Sequence, residues 1–272
     1  MGYDWENVAE LTTAGATLLA LVVAIITIRA KRRDDRRADR LNRVNRQLSE
    51  FYGKLMILYE AGMRDWCSFI AQYGNDSEKL GREFVRFFPF EVREDEPITA
   101  FNPEPPNAEQ LKAYRSWLKM LFLKTNERML EVIYANADLV IGKIMPHVLV
   151  IFAEHVASVR LMRLTLEEEE TKEQSGIKSA ILDNWEEYVK RMAPYPGTIG
   201  YYIVSSFEVL KQEQERLLST HDTPLTEKLI ADKVVLAMWE KESYWCRREH
   251  EVRADAGQHY EYKPVPKPII ES

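Results

Sequence analysis

The stretch TLLALVVAIITIRAKRRDDRR, residues 17–37, decides most of what the sequence predicts about the fold. It joins an uncharged run of eighteen residues, 11–28, to a dense basic cluster. A helix rises about 1.5 Å per residue, so the run is roughly 27 Å long, close to the thickness of a bilayer's hydrocarbon core. Nine of its residues are Leu, Ile or Val, and at about −0.3 to −0.6 kcal/mol each they favour insertion by roughly 3–5 kcal/mol. We therefore predict a transmembrane helix over residues 11–28.

Two other interpretations of the run are less consistent with the sequence. A cleaved signal peptide has a basic flank before the apolar run and small residues after it, whereas here acidic residues precede the run and large basic residues follow it. A buried helix of a soluble protein normally carries a polar stripe, but between Leu18 and Ile28 the only polar residue is Thr27.

The basic flank predicts the orientation. Residues 29–46 contain nine Arg or Lys against three Asp, and such bases gather on the cytoplasmic side of a membrane. We expect a single-pass protein with a short extracytoplasmic N-terminus, residues 1–10, and the bulk of the chain in the cytoplasm. The bilayer and its anionic lipid head groups are then the predicted partners. The basic side chains expected at the head groups are Arg29, Lys31, Arg32, Arg33, Arg36, Arg37 and Arg40.

The composition of the 272 residues is that of an ordinary globular protein, with 46% hydrophobic and 29% charged residues. The net charge of −6 argues against nucleic acid as a partner. The two cysteines, Cys67 and Cys246, are too few and too far apart for a disulfide framework or a zinc site.

Apolar residues recur at steps of three and four along the rest of the chain, and no segment alternates with period two. The sequence therefore predicts an all-α protein, in which the N-terminal transmembrane helix continues into a cytosolic bundle of five to seven helices. A basic juxtamembrane and stalk helix is expected over residues 29–73, with its apolar face on later helices or on a second copy. The bundle is expected over residues 77–250, with a Pro-rich acidic loop at 89–107, and an extended or disordered tail over 251–272.

Within the bundle, we expect a helix over residues 138–169, with Pro146 as a kink or a restart. We expect Thr223 to cap the last long helix and Pro224 to open it.

No common catalytic or phosphate-binding motif is present, so we predict no catalytic, cofactor-binding or metal site. The apolar segment MPHVLVIFAEHVASV contains three polar core candidates, His147, Glu154 and His155. The two histidines are eight residues apart, which is too far for a pair that binds one metal ion. Buried, hydrogen-bonded core residues are the expected interpretation, and a ligand or proton-relay role is the alternative.

The phrase NRQLSEFYGKL, residues 45–55, resembles an NxQLxxFYGPL-like phrase of poorly characterised single-span membrane-anchored helical proteins. The resemblance covers residues 11–70 and implies a short N-terminal span and a cytosolic helical region, without an activity. Lys54 stands where the phrase has proline. A glycine inside a helix costs about 1 kcal/mol relative to alanine, so we predict a close helix–helix contact at Gly53, flanked by Phe51 and Tyr52.

These observations together predict a membrane-anchored cytosolic interaction or sensor protein without catalytic activity, which binds a protein partner or its own copy. One alternative is a membrane-acting effector, in defence or toxicity, whose span oligomerises on triggering. Another is an enzyme that carries no readable motif.

Overall fold

The computed structural model describes residues 5–73, 108–176, 184–185, 187, 195–219, 225–255 and 267–268. Side chains are described for residues 17–69, 109–176, 184–185, 187, 195–219, 225–241 and 267–268. In these ranges all regular structure is helical, which confirms the all-α class. The predicted loop at 89–107 and most of the predicted tail at 251–272 lie outside the described residues, as does the side chain of Cys246.

The described chain forms seven α-helices in five continuous rods. A π-helical turn, Gln47–Tyr52, joins the first two α-helices without a break, and a second one, Leu118–Phe122, joins the next two. A short 3-10 turn, Ala137–Leu139, follows the second rod. The helices are α1 (Trp5–Arg46), α2 (Gly53–Tyr73), α3 (Ala108–Trp117), α4 (Leu123–Ala135), α5 (His147–Gln174), α6 (Ile199–Ser219) and α7 (Glu227–Asp255).

Four rods surround one core. The α1–α2 rod packs on α6 and on α4, α4 packs on α5, and α5 packs on α6. The α7 helix packs on α6 and contributes Ile230 and Val234 to the same core cluster. The rods that pack on one another run antiparallel. For α1–α2 and α6 this is shown by two contacts, Tyr52 with Tyr202 and Asn45 with Gln214.

The apolar face of the predicted stalk packs on the protein's own later helices. Val44, Phe51 and Leu55 are completely buried and belong to the same core cluster as Phe152 and Ile203. The C-terminal part of this rod joins an aromatic group. Phe69 stacks on Trp117 with ring centroids 5.0 Å apart, and the Trp66 ring lies tilted against Trp117 at 5.2 Å. Residues 44–69 are therefore part of the bundle.

The structure differs from two local predictions. A helix begins at His147, directly after Pro146, in agreement with the predicted restart, but no helix precedes it from residue 140 to 146, because the chain leaves the 3-10 turn at Val140 in an extended conformation. Gly142 in this connection has φ +94°, a value that glycine adopts readily. The last helix is capped by Thr226, whose hydroxyl accepts a hydrogen bond of 3.3 Å from the Leu229 backbone N–H. The predicted cap, Thr223, lies outside the described residues.

In the part of the chain that the structure describes, no helix offers a stretch both long and apolar enough to cross a membrane. The transmembrane helix predicted over residues 11–28 is not supported by that finding. What the structure does describe there is the α1 helix, which runs unbroken for 42 residues.

Candidate functional site

The described apolar part of α1 stands away from the core. Its eight large aliphatic side chains have exposed fractions of 41–67%, in contrast to the fully buried Val44 further along the same helix. The hydroxyl of Thr27 donates a 2.8 Å hydrogen bond to the carbonyl of Val23, so this polar group is satisfied within the helix. The eight side chains are Leu18, Leu19, Leu21, Val22, Val23, Ile25, Ile26 and Ile28.

The basic side chains that follow fall into two groups. The first group is exposed and consists of Arg29, Lys31, Arg32, Arg33 and Arg36. The second group, Arg37 and Arg40, is partly buried and turns toward the bundle. The bundle contacts the second group through Leu217 of α6 and Glu227 of α7.

Arg37 binds the end of α6. Its guanidinium donates to the backbone carbonyl of Leu217 through Nε, at 2.7 Å, and through Nη2. The last carbonyls of a helix have no partner within the helix and carry the negative end of its dipole. Arg37 therefore satisfies one of these carbonyls and places a positive charge where the helix dipole favours it.

Arg40 and Arg43 extend the same face of α1 to the start of α7. Glu227, in the first turn of α7, forms ion pairs with Nη1 of Arg40 at 3.6 Å and with Nε of Arg43 at 2.8 Å. The side chain of Arg40 is only 10% exposed. Burial lowers the pKa of Arg40 from its ordinary value, and the charges of Glu213 and Glu227 act against this shift.

Glu213 is the buried acid of this group, and its side chain is completely inaccessible to solvent. Its carboxylate accepts hydrogen bonds from Nε and Nη2 of Arg216, at 2.8 Å and 3.0 Å, and from the Leu225 backbone N–H at 3.1 Å. Arg40 adds a second nearby cation. A buried carboxylate is tolerated only when it is paired and hydrogen-bonded in this way. We call Arg37, Arg40, Arg43, Glu213, Arg216 and Glu227 the arginine junction, which ties α1 to α6 and α7.

Two polar residues of the NRQLSEFYGKL phrase, Gln47 and Tyr52, are buried, and with Tyr202 of α6 they form a set of buried hydrogen bonds that we call the polar seam. The π-helical turn places Gln47 and Tyr52 in the core, where the Gln47 amide donates to the carbonyl of Leu139 at 2.9 Å. The Tyr52 hydroxyl accepts from the backbone N–H of Ile141 at 3.0 Å and shares a 2.7 Å hydrogen bond with the hydroxyl of Tyr202. Burial raises the pKa of Tyr52 to about 12 and also raises that of Tyr202. These hydrogen bonds hold the connection before α5, at Leu139 and Ile141, against the π-helical turn after α1, and they join that turn to α6 through Tyr202.

The structure places Phe51, Tyr52 and Gly53 at a helix contact, but the strongest constraint on Gly53 is within its own rod. A Cβ atom built on Gly53 would lie closer than 3.0 Å to the backbone carbonyl of Leu48, which real Cβ atoms essentially never do. The neighbouring helix is less restrictive, since the ring of Phe207 would lie at an ordinary 3.7 Å. A glycine avoids this collision at residue 53, although Leu123 occupies the equivalent position after the second π-helical turn.

The three polar core candidates on α5 do not come together. His155 is buried, with its ring edge-to-face against Tyr195 at 5.1 Å and Phe122 at 5.9 Å. Glu154 and His147 are exposed. The structure thus shows an aromatic surrounding for one imidazole and no shared site for the three groups.

Sequence reasoning missed the acidic half of the junction. The bases Arg37, Arg40 and Arg43 recur every three residues. This spacing places them on one face of a helix and indicates that they could act together. Glu213 lies three residues after Leu210 and four before Leu217, so helical spacing places it on the apolar face of α6, but the charged residues around it obscure this signal. The groups that pair with it across helices are supplied only by the contact between α1, α6 and α7.

No family model matches the chain, and no curated protein or solved structure is significantly similar to it. The resemblance of residues 11–70 to membrane-anchored helical proteins therefore stays a prediction.

Proposed function

We propose that this protein is a membrane-anchored interaction or sensor protein, with α1 as its anchor and the helical bundle as its cytosolic part. The observation that carries the proposal is the exposed apolar segment of α1. Large aliphatic side chains that no protein element covers are costly in water, at roughly 25 cal/mol per Å² of apolar surface. A bilayer removes that cost.

The length of the apolar run supports a span rather than a surface contact. Residues 17–28 alone correspond to about 18 Å of helix, which is shorter than the hydrocarbon core of about 30 Å. The uncharged run begins at residue 11, however, and the α1 backbone is helical from Trp5 onward. Over residues 11–28 the helix measures about 27 Å, close to the required thickness.

The exposed bases support the cytoplasmic orientation of the bundle. Arg29, Lys31, Arg32, Arg33 and Arg36 follow the apolar run directly and are exposed. Bases at this position favour the cytoplasmic side, and each base near an anionic surface contributes about 1 kcal/mol. We propose the bilayer and its anionic head groups as partners of this segment.

An interaction or sensor role is favoured over catalysis by the way the polar groups are used. Tyr52, Tyr202 and Gln47 hold one connection of the bundle, and Glu213 with Arg40 holds the anchor helix to it. These buried polar groups join helices to one another. Such a bundle suits the binding of a protein partner or a second copy at the inner membrane surface.

Carbonate extraction tests the anchor. The full chain with a C-terminal tag is expected to remain in carbonate-washed membranes, with the tag protected from protease in sealed vesicles whose lumen is cytosolic. A Leu19→Arg and Val22→Arg double variant is expected to be extracted, because two central arginines cost roughly 5–7 kcal/mol against a gain of about 3–5 kcal/mol. Ile57→Arg, at an exposed position of the bundle, is the matched control and should remain in the membrane. Extraction of the unmodified chain would refute the proposal.

A further inference from the structure

The end of the bundle nearest to the anchor is identified by the direction of α6. Along the contact between the two rods, Tyr52 pairs with Tyr202, Asn45 with Gln214, and Arg37 with Leu217. Decreasing numbers on α1 thus meet increasing numbers on α6. The C-terminal end of α6, Leu217 to Ser219, therefore lies beside the point where α1 leaves the bundle.

The arginine junction holds this arrangement. Arg37 caps the end of α6, and Arg40 forms an ion pair with Glu227 and is attracted by the charge of Glu213. The α1 helix has no break between its apolar segment and this junction. Anchor and bundle are thus joined by a continuous helix and by a partly buried set of ion pairs, and not by a flexible linker.

The distance from the apolar segment to the junction is short. Ile28 and Arg37 are nine residues apart, which is about 14 Å along a helix. The interfacial layer of one leaflet takes up roughly 5–8 Å of that distance. Helical side chains lean toward the N-terminus of their helix, so the bases between Ile28 and Arg37 lean toward the membrane. Ile57, in contrast, lies about 44 Å from Ile28 along the same rod.

We propose that the bundle is held in one orientation against the head-group layer of an anionic membrane, with the C-terminal end of α6 facing the lipid. The inference rests on the proposed role of α1 as an anchor. Leu218, at the very end of α6, is 65% exposed and faces away from the core. The five exposed bases from Arg29 to Arg36 directly precede Arg37, which binds the end of α6, and they match the negative charge of the lipid surface.

Site-directed labels in the full chain test the orientation. The chain, with C67S and C246S substitutions, is reconstituted into vesicles of phosphatidylcholine and phosphatidylglycerol. A fluorophore is attached at L218C or at I57C, two positions of similar exposure, 65% and 72%, and a quencher is carried on the lipid head groups. The roughly 30 Å difference in height predicts at least about tenfold stronger quenching at position 218 than at position 57. A third label at V22C, with a quencher on the acyl chains, reports on the anchor itself.

The outcomes separate the two proposals. Quenching at position 22 together with equal quenching at positions 218 and 57 would leave the anchor in place and overturn the fixed orientation. Absence of quenching at position 22 would overturn the anchor and the orientation with it. The role of the junction is tested by Glu213→Gln, which is expected to reduce the ratio between positions 218 and 57 at least about threefold, since it removes the negative charge of α6 that attracts Arg40 of α1. Glu215→Gln, a substitution at an exposed neighbouring position, is the control and should leave the ratio unchanged. If Glu213→Gln also left the ratio unchanged, the junction would not be what holds the orientation.

Discussion

Replacing Glu213 by glutamine tests whether the arginine junction stabilises the protein. The glutamine carbonyl can still accept the hydrogen bond from the Leu225 N–H, which spans 3.1 Å in the structure. Its amide NH₂ group, however, is a donor that faces the donors of Arg216. The substitution keeps the volume of the side chain and removes the negative charge between Arg40 and Arg216.

The magnitude follows from the burial of the partners. Removing one partner of a fully buried ion pair costs about 3–5 kcal/mol, because a buried charge is left without compensation. Here the side chains of Arg216 and Arg40 are 24% and 10% exposed, so water screens part of their charge. We therefore expect the free energy of unfolding to fall by roughly 2–4 kcal/mol. For a chain of this size each kcal/mol lowers the melting temperature by about 2–4 °C, which gives a total decrease of about 4–16 °C.

Thermal unfolding of the full chain in detergent micelles, followed by far-ultraviolet circular dichroism, measures this change. Glu215→Gln is the matched control, since this residue lies on the same helix but is exposed, and its melting temperature should stay within about 2 °C of the unmodified chain. Equal melting temperatures for the two variants would refute the reasoning. They would mean that the charge of Glu213 contributes little to the stability of the folded chain.

Three further predictions concern the polar seam and the π-helical turn. Gly53→Ala is expected to destabilise the protein by about 1–3 kcal/mol, because the added Cβ would collide with the backbone carbonyl of Leu48. Gly62→Ala, where the nearest atom would be a Thr125 methyl at 3.4 Å, should be neutral or stabilising, and thermal melts of the two variants check the contrast. Tyr52→Phe removes the hydroxyl that accepts the hydrogen bond of the Ile141 N–H, and it should lower the free energy of unfolding, measured in urea, by about 1–3 kcal/mol. An unchanged free energy of unfolding would mean that this hydrogen bond does not stabilise the fold. Stability should also fall between about pH 10 and pH 12 by about 1 kcal/mol per pH unit. The reason is that the Tyr52 phenol ionises near its ordinary pKa of 10.0 when unfolded but only at about 12 in the fold. In Tyr52→Phe the free energy of unfolding, measured in urea at each pH, should fall less over this pH range than in the unmodified chain.

Much of the fold was predictable because helical periodicity is a local property. The steps of three and four between Val44, Leu48, Phe51 and Leu55 give one apolar face, and the structure buries all four residues. The connection before α5 was not predictable in the same way. Residues 138–141 carry an apolar pattern that suits a helix, but Tyr52 and Gln47 bind their backbone N–H and carbonyl groups and hold them out of one.

The candidate site was predictable only in part. The phrase around Gly53 drew attention to a contact, and Phe51, Tyr52 and Gly53 do lie in the core region between α1–α2 and α6. The reason given for the glycine was incomplete, since a π-helical turn leaves no signature in residue periodicity. Of the three expected core residues only His155 is buried, because one helix turns by about 100° per residue and leaves the adjacent Glu154 exposed, while His147 is exposed at the start of α5.

By itself the sequence determined the helical class, the uncharged run of membrane length and the basic segment that follows it, because composition and short-range spacing are sufficient for these. Only the tertiary structure decided which of those bases remain exposed. Arg36 and Arg37 are neighbours in the same charged segment, yet Arg36 is exposed and Arg37 binds the carbonyl of Leu217, 180 residues further along the chain. A partner so distant in sequence is brought close only by the packing of α6 against α1, and local pattern carries no information about it.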